Sequence, residues 1–381
     1  MPDFHPFVME RWQSTWEHRV RFNLSESGVH PLSTRELLEL GGDQGRELEA
    51  RLLDLRQGYG QSNGSDELRA RIAALYPGGD PEAVMVTVGG AEANFVTLWR
   101  LLHEGEAWAA ILPTYMQVPG LVRNFGGTLH PVHLREEEAW QPDPDEVGRA
   151  FQAGARVLML TNPSNPTGAV LDEDRMGAIV AHAARHGAWI VADEVYSGAE
   201  VSGAETPSFF GRHDRVVCTH SLSKAYGLPG LRVGWTISTP ELAEELWSRT
   251  DYTTITPAIL SDALAVLALS PEVRPKILER TRKIIGANRD LLARWVDSQG
   301  DRFSYLPPDA GAIAFLRYRT PVNSSELAER LRVEKDLLLV PGDQFGLDRY
   351  VRIGFGPPEE ELSEALARVT ELFDELDSPA D

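Results

Sequence analysis

The chain has 381 residues, 42% hydrophobic and 25% charged, the balance of a globular protein with room for two or three domains. Its formal charge of −20 argues against nucleic acid as a partner, since polyanions are gripped through clustered Lys and Arg. One cysteine, Cys218, forbids an intrachain disulfide; no apolar run is long enough to span a membrane, and no signal peptide opens the chain, so we expect a soluble, cytoplasmic enzyme with no membrane partner.

The first 44 residues carry Pro6, Trp12, Trp16 and Pro31 and are expected to pack on a small domain. The four-residue spacing of the two tryptophans reads as packing rather than a ligand cage. Residues 45–265 read as a large domain. Seven apolar, β-branched runs closed by turn residues predict strands at Val84–Val88, Ala109–Leu112, Thr128–Val132, Arg156–Thr161, Trp189–Asp193, Val216–His220 and Val233–Ile237. Between them lie helical patterns, at Ala91–His103 before Gly105, and at Glu173–Arg185 with Asp172 as N-cap and Gly187 as stop. Strands alternating with helices predict an α/β fold with a seven-stranded, mostly parallel sheet covered on both faces.

Residues 266–381 read as a smaller α+β domain. A charged helix near Glu272–Asp297 leads to strand-like Phe303–Leu306 and Gly311–Tyr318. A helix near Ser325–Glu334, strands at Leu337–Val340 and Tyr350–Phe355, and an acidic helix from about Pro358 complete it.

The chemistry concentrates at strand ends. Of 37 basic residues only four are lysines, namely Lys224, Lys276, Lys283 and Lys335, so a reaction needing a lysine amine has few candidates. Lys224 follows a predicted strand within Ser221-Leu-Ser-Lys-Ala-Tyr-Gly-Leu-Pro-Gly-Leu-Arg232, at the sheet edge where open α/β folds bind ligands. Ser221, Ser223 and Arg232 suit a dianionic phosphate, and a lysine beside fixed positive charge can supply a neutral amine for a Schiff base. Asp193 ends the apolar strand of Trp189-Ile-Val-Ala-Asp-Glu-Val-Tyr196; it can pair with a protonated ring nitrogen, or serve as a cap or structural ion pair. Asn162-Pro-Ser-Asn-Pro-Thr-Gly168 is a rigid turn that can aim the Asn165 amide at a phenolic oxygen, and is otherwise an ordinary Pro/Gly turn.

Together, in this order, the segments resemble the fold-type I, class I/II aminotransferases that use pyridoxal 5′-phosphate (PLP). The matching motifs span about residues 58–356. The resemblance implies that Lys224 carries the cofactor as a Schiff base and then moves the substrate proton. It implies that Asp193 binds the pyridine nitrogen and that Asn165 and Tyr196 bind its phenolic oxygen. Ser221, Ser223, Arg232 and the backbone N–H groups at Gly90 and Ala91 would hold the phosphate, and Tyr115 would stack on the ring. Tyr59, in Gly58-Tyr-Gly60, would reach the phosphate of a neighbouring subunit, implying a homodimer with shared sites. Arg352, in Tyr350-Val-Arg-Ile-Gly-Phe355, would clamp the substrate α-carboxylate.

The entrance segment Asn23-Leu-Ser-Glu-Ser-Gly-Val-His-Pro31 departs from the apolar-Gly pattern of many members. In the family it lies over the substrate, so substrate contacts are assigned to Gly28 and His30, with Glu26 beside them, although His30 can equally cap or pack. A related look occurs in capreomycidine synthases and PLP-dependent arginine oxidases. No second arginine marking a dicarboxylate specialist stands out. The first expectation is an aminotransferase moving an α-amino group from an amino acid to a 2-oxo acid; the alternative is a PLP-dependent cyclase or oxidase of an arginine-like amino acid. A PLP-binding regulator without turnover is the third, disfavoured because the motifs leave little chain for a DNA reader. His182 and His186 have metal-ligand spacing but lack a third ligand, so no metal is expected, and Cys218 reads as a core residue.

Overall fold

The computed structural model describes residues 4–102 and 106–377. All seven predicted runs are strands of one sheet, in the order Val84–Thr87, Gly234–Ile237, Val216–Ser221, Trp189–Asp193, Ala155–Thr161, Ala107–Leu112, Thr128–His133. Only Gly234–Ile237 runs antiparallel to its neighbours; the other pairings are parallel. The runs are continuously apolar because both faces are covered. Alternate residues feed two separate hydrophobic clusters: Leu158, Leu160, Ile190, Ala192, Val216 and Cys218 on one side, Val157, Met159, Val191 and Val217 on the other.

The register aligns Thr161 with Asp193 and Asp193 with Thr219, so three parallel strands finish along one edge. The turn from Asn162, the Asp193 carboxylate and the Ser221–Lys224 segment therefore emerge side by side. The flanking helices form as anticipated, at Gly90–Leu101 and Glu173–His186, the second capped by the Asp172 side chain and stopped by Gly187 in a left-handed conformation. His103 and Gly105, the anticipated end of the first helix, lie outside the described residues.

A second, antiparallel sheet orders Val340–Pro341, Tyr350–Gly354, Ile313–Tyr318 and Phe303–Ser304, against helices Arg274–Ser298, Ser324–Lys335 and Glu359–Asp377. The run expected as one strand at Leu337–Val340 is two. Leu337–Leu338 pairs in parallel with Phe22–Asn23 of the N-terminal segment, whereas Val340–Pro341 joins the antiparallel sheet. The N-terminal helix Val8–Trp16 is tied to this layer: the Trp12 indole donates to the Leu339 carbonyl at 2.9 Å, and the Arg332 guanidinium lies 3.8 Å over the Trp16 ring.

Candidate active site

The strand ends open into a cavity of about 310 Å³ lined by the sheet edge, the start of helix Gly90–Leu101, the N-terminal helix and Arg352. One end is built for an anion. Gly89 adopts φ +81°, and a Cβ there would lie 2.3 Å from the Arg232 guanidinium, so glycine is what lets that arginine reach the helix N-terminus. Arg232 itself is held at φ 52° after the turn Pro229–Leu231, with Nη1 3.1 Å from the Pro229 carbonyl and 3.5 Å from Ser223 Oγ. Gly90, Ala91, Ser221 and Ser223 line the same end.

Asp193 lies at the floor, 7% exposed. Burial pushes its carboxyl above the ordinary range, opposed by hydrogen bonds from Asn94 Nδ2 at 3.0 Å and the Val195 N–H at 3.2 Å. Asn94 is fixed in turn because its Oδ1 accepts from Thr219 Oγ1 at 2.8 Å. Lys224 extends toward the entrance segment, its Nζ 3.5 Å from Glu26 Oε2. That ammonium, with Arg352 behind it, holds the Glu26 carboxyl below its usual range against the opposing effect of burial.

Arg352 is almost fully buried. Its Nη1 donates to Asn165 Oδ1 at 2.9 Å, and Nη2 to the Ser25 carbonyl and to Gln13 Oε1 at 3.3 Å. Its Nε has no hydrogen-bond partner among the described residues. The Tyr196 hydroxyl donates to Ser27 Oγ at 2.8 Å, and the Tyr115 hydroxyl to Glu10 Oε2 at 2.9 Å.

The cavity thus gathers Lys224, Asp193, Asn165, Tyr196, Tyr115, Arg352 and the residues of the anion end, Gly90, Ala91, Ser221, Ser223 and Arg232. It does not gather three others. Gly28 lies behind, where an added Cβ would stand 3.5 Å from the Lys224 side chain. His30 turns away, its Nδ1 3.0 Å from the Gly356 carbonyl, because the entrance segment is zipped to the chain after strand Tyr350–Gly354. Tyr59 is 86% exposed, outside this cavity. His182 and His186 bond to Arg185 and to helix backbone, and no cluster able to hold a metal occurs among the described residues.

Sequence reasoning missed Glu10, Gln13, Glu17, Ser27 and Asn94 as lining residues. The first three repeat at helical spacing, but no local motif marks them as site residues, and the segment is no more acidic than the rest of the chain.

The family model for aminotransferases of class I and II matches residues 43–369. A capreomycidine synthase from Streptomyces vinaceus is 30% identical over 372 residues, covering 95% of this chain and 92% of that protein. Among solved structures, a PLP-dependent aminotransferase from Streptococcus suis superposes with a TM-score of 0.92 at 29% identity, over 99% of this chain and 100% of that one. The PLP-dependent cyclase OrfR superposes with a TM-score of 0.89 at 26% identity, over 98% of both chains.

Proposed function

We propose that this chain, which belongs to the class I and II aminotransferase family, moves the α-amino group of an amino acid to a 2-oxo acid. Its cofactor is PLP, which supplies an electron sink for charge developing at the substrate Cα. The residues present fit that cofactor's chemistry. Ser221, Ser223, Arg232 and the helix start at Gly90 would hold its phosphate, and Asp193, anchored by Asn94, would hold the ring nitrogen protonated. Asn165 and Tyr196 would bind the phenolic oxygen, Tyr115 would cover the ring face, and Lys224 would attach the cofactor and then carry the proton at Cα.

The observation that carries the reading is Arg352: a buried guanidinium with an unpaired Nε, in the same cavity as Lys224 and Asp193, is the anchor an α-carboxylate requires. The exposed Tyr59 supports a homodimer in which each subunit completes its neighbour's phosphate site. The lone thiol, with no helix long and apolar enough to cross a membrane among the described residues, supports cytoplasmic residence.

A second reading, cyclisation of a basic amino acid, is favoured by the likeness to a capreomycidine synthase and to OrfR. The deciding experiment adds each of twenty amino acids, arginine among them, to the loaded enzyme without a 2-oxo acid. Amino transfer releases one 2-oxo acid per site and stops. A cyclised product that keeps the α-amino nitrogen would replace the first reading with the second.

A further inference from the structure

We propose that Ser27 is a positioning residue for the cofactor's phenolic oxygen, acting through the Tyr196 hydroxyl. This rests on reading the cavity as a PLP site in which Asn165 and Tyr196 meet that oxygen. A phenolic oxygen carrying negative charge is an acceptor only, so each group that meets it must bring a hydrogen. Asn165 does so: its Oδ1 accepts from Arg352 Nη1 at 2.9 Å, which leaves the Nδ2 hydrogens for the cavity. Tyr196 has a single hydroxyl hydrogen, and it goes to Ser27 Oγ at 2.8 Å. Among the described residues the hydrogen of the Ser27 hydroxyl has no acceptor of its own. The pair can therefore reverse. With Tyr196 turned to the phenolic oxygen, Ser27 donates to Tyr196 Oη. The tyrosine then becomes the middle link of a two-bond chain in which each bond polarises the next.

The fold holds both partners in place. Ser27 is 4% exposed and Tyr196 2%, and both line the cavity, where low polarity strengthens the bond between them. The Tyr196 ring packs on Gly311, where an added Cβ would lie 3.2 Å from its Cδ1. Ser27 is pinned from either side. Before it, Arg352 Nη2 donates to the Ser25 carbonyl and the Gly354 N–H to the Leu24 carbonyl at 2.7 Å. After it, a Cβ on Gly28 would stand 3.4 Å from the Ser223 carbonyl oxygen, and the His30 N–H donates to the Gly356 carbonyl at 2.8 Å. Tyr196 lies inside the match to the family model, residues 43–369, and Ser27 before it, so the pair ties the family body to this chain's entrance segment. The electronic consequence has a definite sign. A donor stabilises the phenolic oxygen most when its charge is not shared with a proton on the neighbouring Schiff-base nitrogen. Ser27 therefore favours loss of that proton, and lowers the pH above which the loaded enzyme can take one from an incoming ammonium.

The test follows the visible absorbance of the PLP-loaded enzyme against pH, without substrate. In Ser27→Ala the midpoint of the titration should rise by about half a pH unit, the size of a lost cooperative contribution to one charged hydrogen bond. Ser27→Cys keeps the volume and offers only a weak donor, so its midpoint should rise as well. Tyr196→Phe should raise the midpoint further. Adding Ser27→Ala to Tyr196→Phe should then change nothing, because the serine acts through the tyrosine. A midpoint unmoved by Ser27→Ala, a wild-type midpoint in Ser27→Cys, or an undiminished shift in the Tyr196→Phe background overturns the proposal. If 2-oxo acid is still released from amino acids in that event, the transfer reading survives it; if the midpoints move as stated but no 2-oxo acid forms, the transfer reading fails and this one stands.

Discussion

Gly354 and Glu26 meet backbone to backbone: a Cβ on residue 354 would lie 1.8 Å from the Glu26 carbonyl oxygen. The Gly354 N–H donates to the Leu24 carbonyl, so the entrance segment lies flat on strand Tyr350–Gly354. That contact aligns Glu26 with Lys224 while Arg352, two residues back on the same strand, reaches the Ser25 carbonyl. Gly354→Ala should therefore cost about 1–3 kcal/mol, because backbone rather than a mobile side chain must yield. Denaturant unfolding checks this; a variant with wild-type midpoint would show that the segment is not so tightly laid.

Lys224 should be the sole point of cofactor attachment. Reduction of the loaded enzyme with borohydride, followed by peptide mapping, should label Lys224, and Lys224→Ala should give no label. A label on Lys276, Lys283 or Lys335 would refute the assignment. Two of those three serve structural contacts: Lys276 donates to the Leu40 carbonyl, and Lys335 pairs with Glu375.

The strands were legible because burial on both faces writes them as unbroken apolar runs between turns. Several short helices were not picked out, among them Thr34–Leu40, Asp66–Ala73 and Pro240–Thr250. Their hydrophobic stripes are thin, although Ser33, Ser65 and Thr239 cap them and Ser33 with Glu36 forms a capping box. The parts of the cavity carried by local motifs were legible through the family resemblance those motifs carry. Asn94 and the Glu10–Glu17 face were not, because they enter the site only when one helix packs on the sheet edge and another folds over from the small sheet. His30 shows the reverse: its residue type suggested chemistry, and the close approach of Gly356 turned its ring to a carbonyl.

Stability should carry a pH signature from Glu194, which burial pushes up to about 7 despite hydrogen bonds from Ser208 and the Phe209 N–H. In the unfolded chain this carboxyl returns to its ordinary value near 4.5. Between those values the native state binds more protons than the unfolded one. The contribution is therefore full below pH 4.5 and is lost as the pH rises through 7. Glu194→Gln remains uncharged throughout, so its stability relative to wild type should rise between pH 5 and 8. Parallel unfolding free energies across that range would show that Glu194 does not titrate there.

Tyr59 should act across a subunit boundary. Tyr59→Ala and Lys224→Ala homodimers should each be impaired. Mixed and reassociated, they should regain turnover, because a hybrid contains one site with Lys224 from one subunit and Tyr59 from the other. A monomer with full turnover, or hybrids no better than their parents, would exclude a shared site.

Arg352 and His30 separate anchoring from packing. A guanidinium facing a carboxylate makes two parallel charge-assisted hydrogen bonds, each worth about 1.5–3 kcal/mol. Arg352→Lys keeps the charge and loses the fork; since 1.4 kcal/mol is a factor of ten, kcat/KM should fall at least about tenfold. The loss should be similar for every amino acid, because all share the α-carboxylate. His30 touches the Gly356 carbonyl and lies outside the cavity lining. His30→Ala should cost about 0.5–1.5 kcal/mol of stability, the worth of one hydrogen bond, and leave the ranking of amino acids unchanged. Steady-state kinetics over a panel of basic, neutral and acidic amino acids, alongside unfolding curves, reads both. A ranking altered by His30→Ala would return that ring to the substrate, and losses at Arg352 that vary with the side chain would move the carboxylate anchor elsewhere.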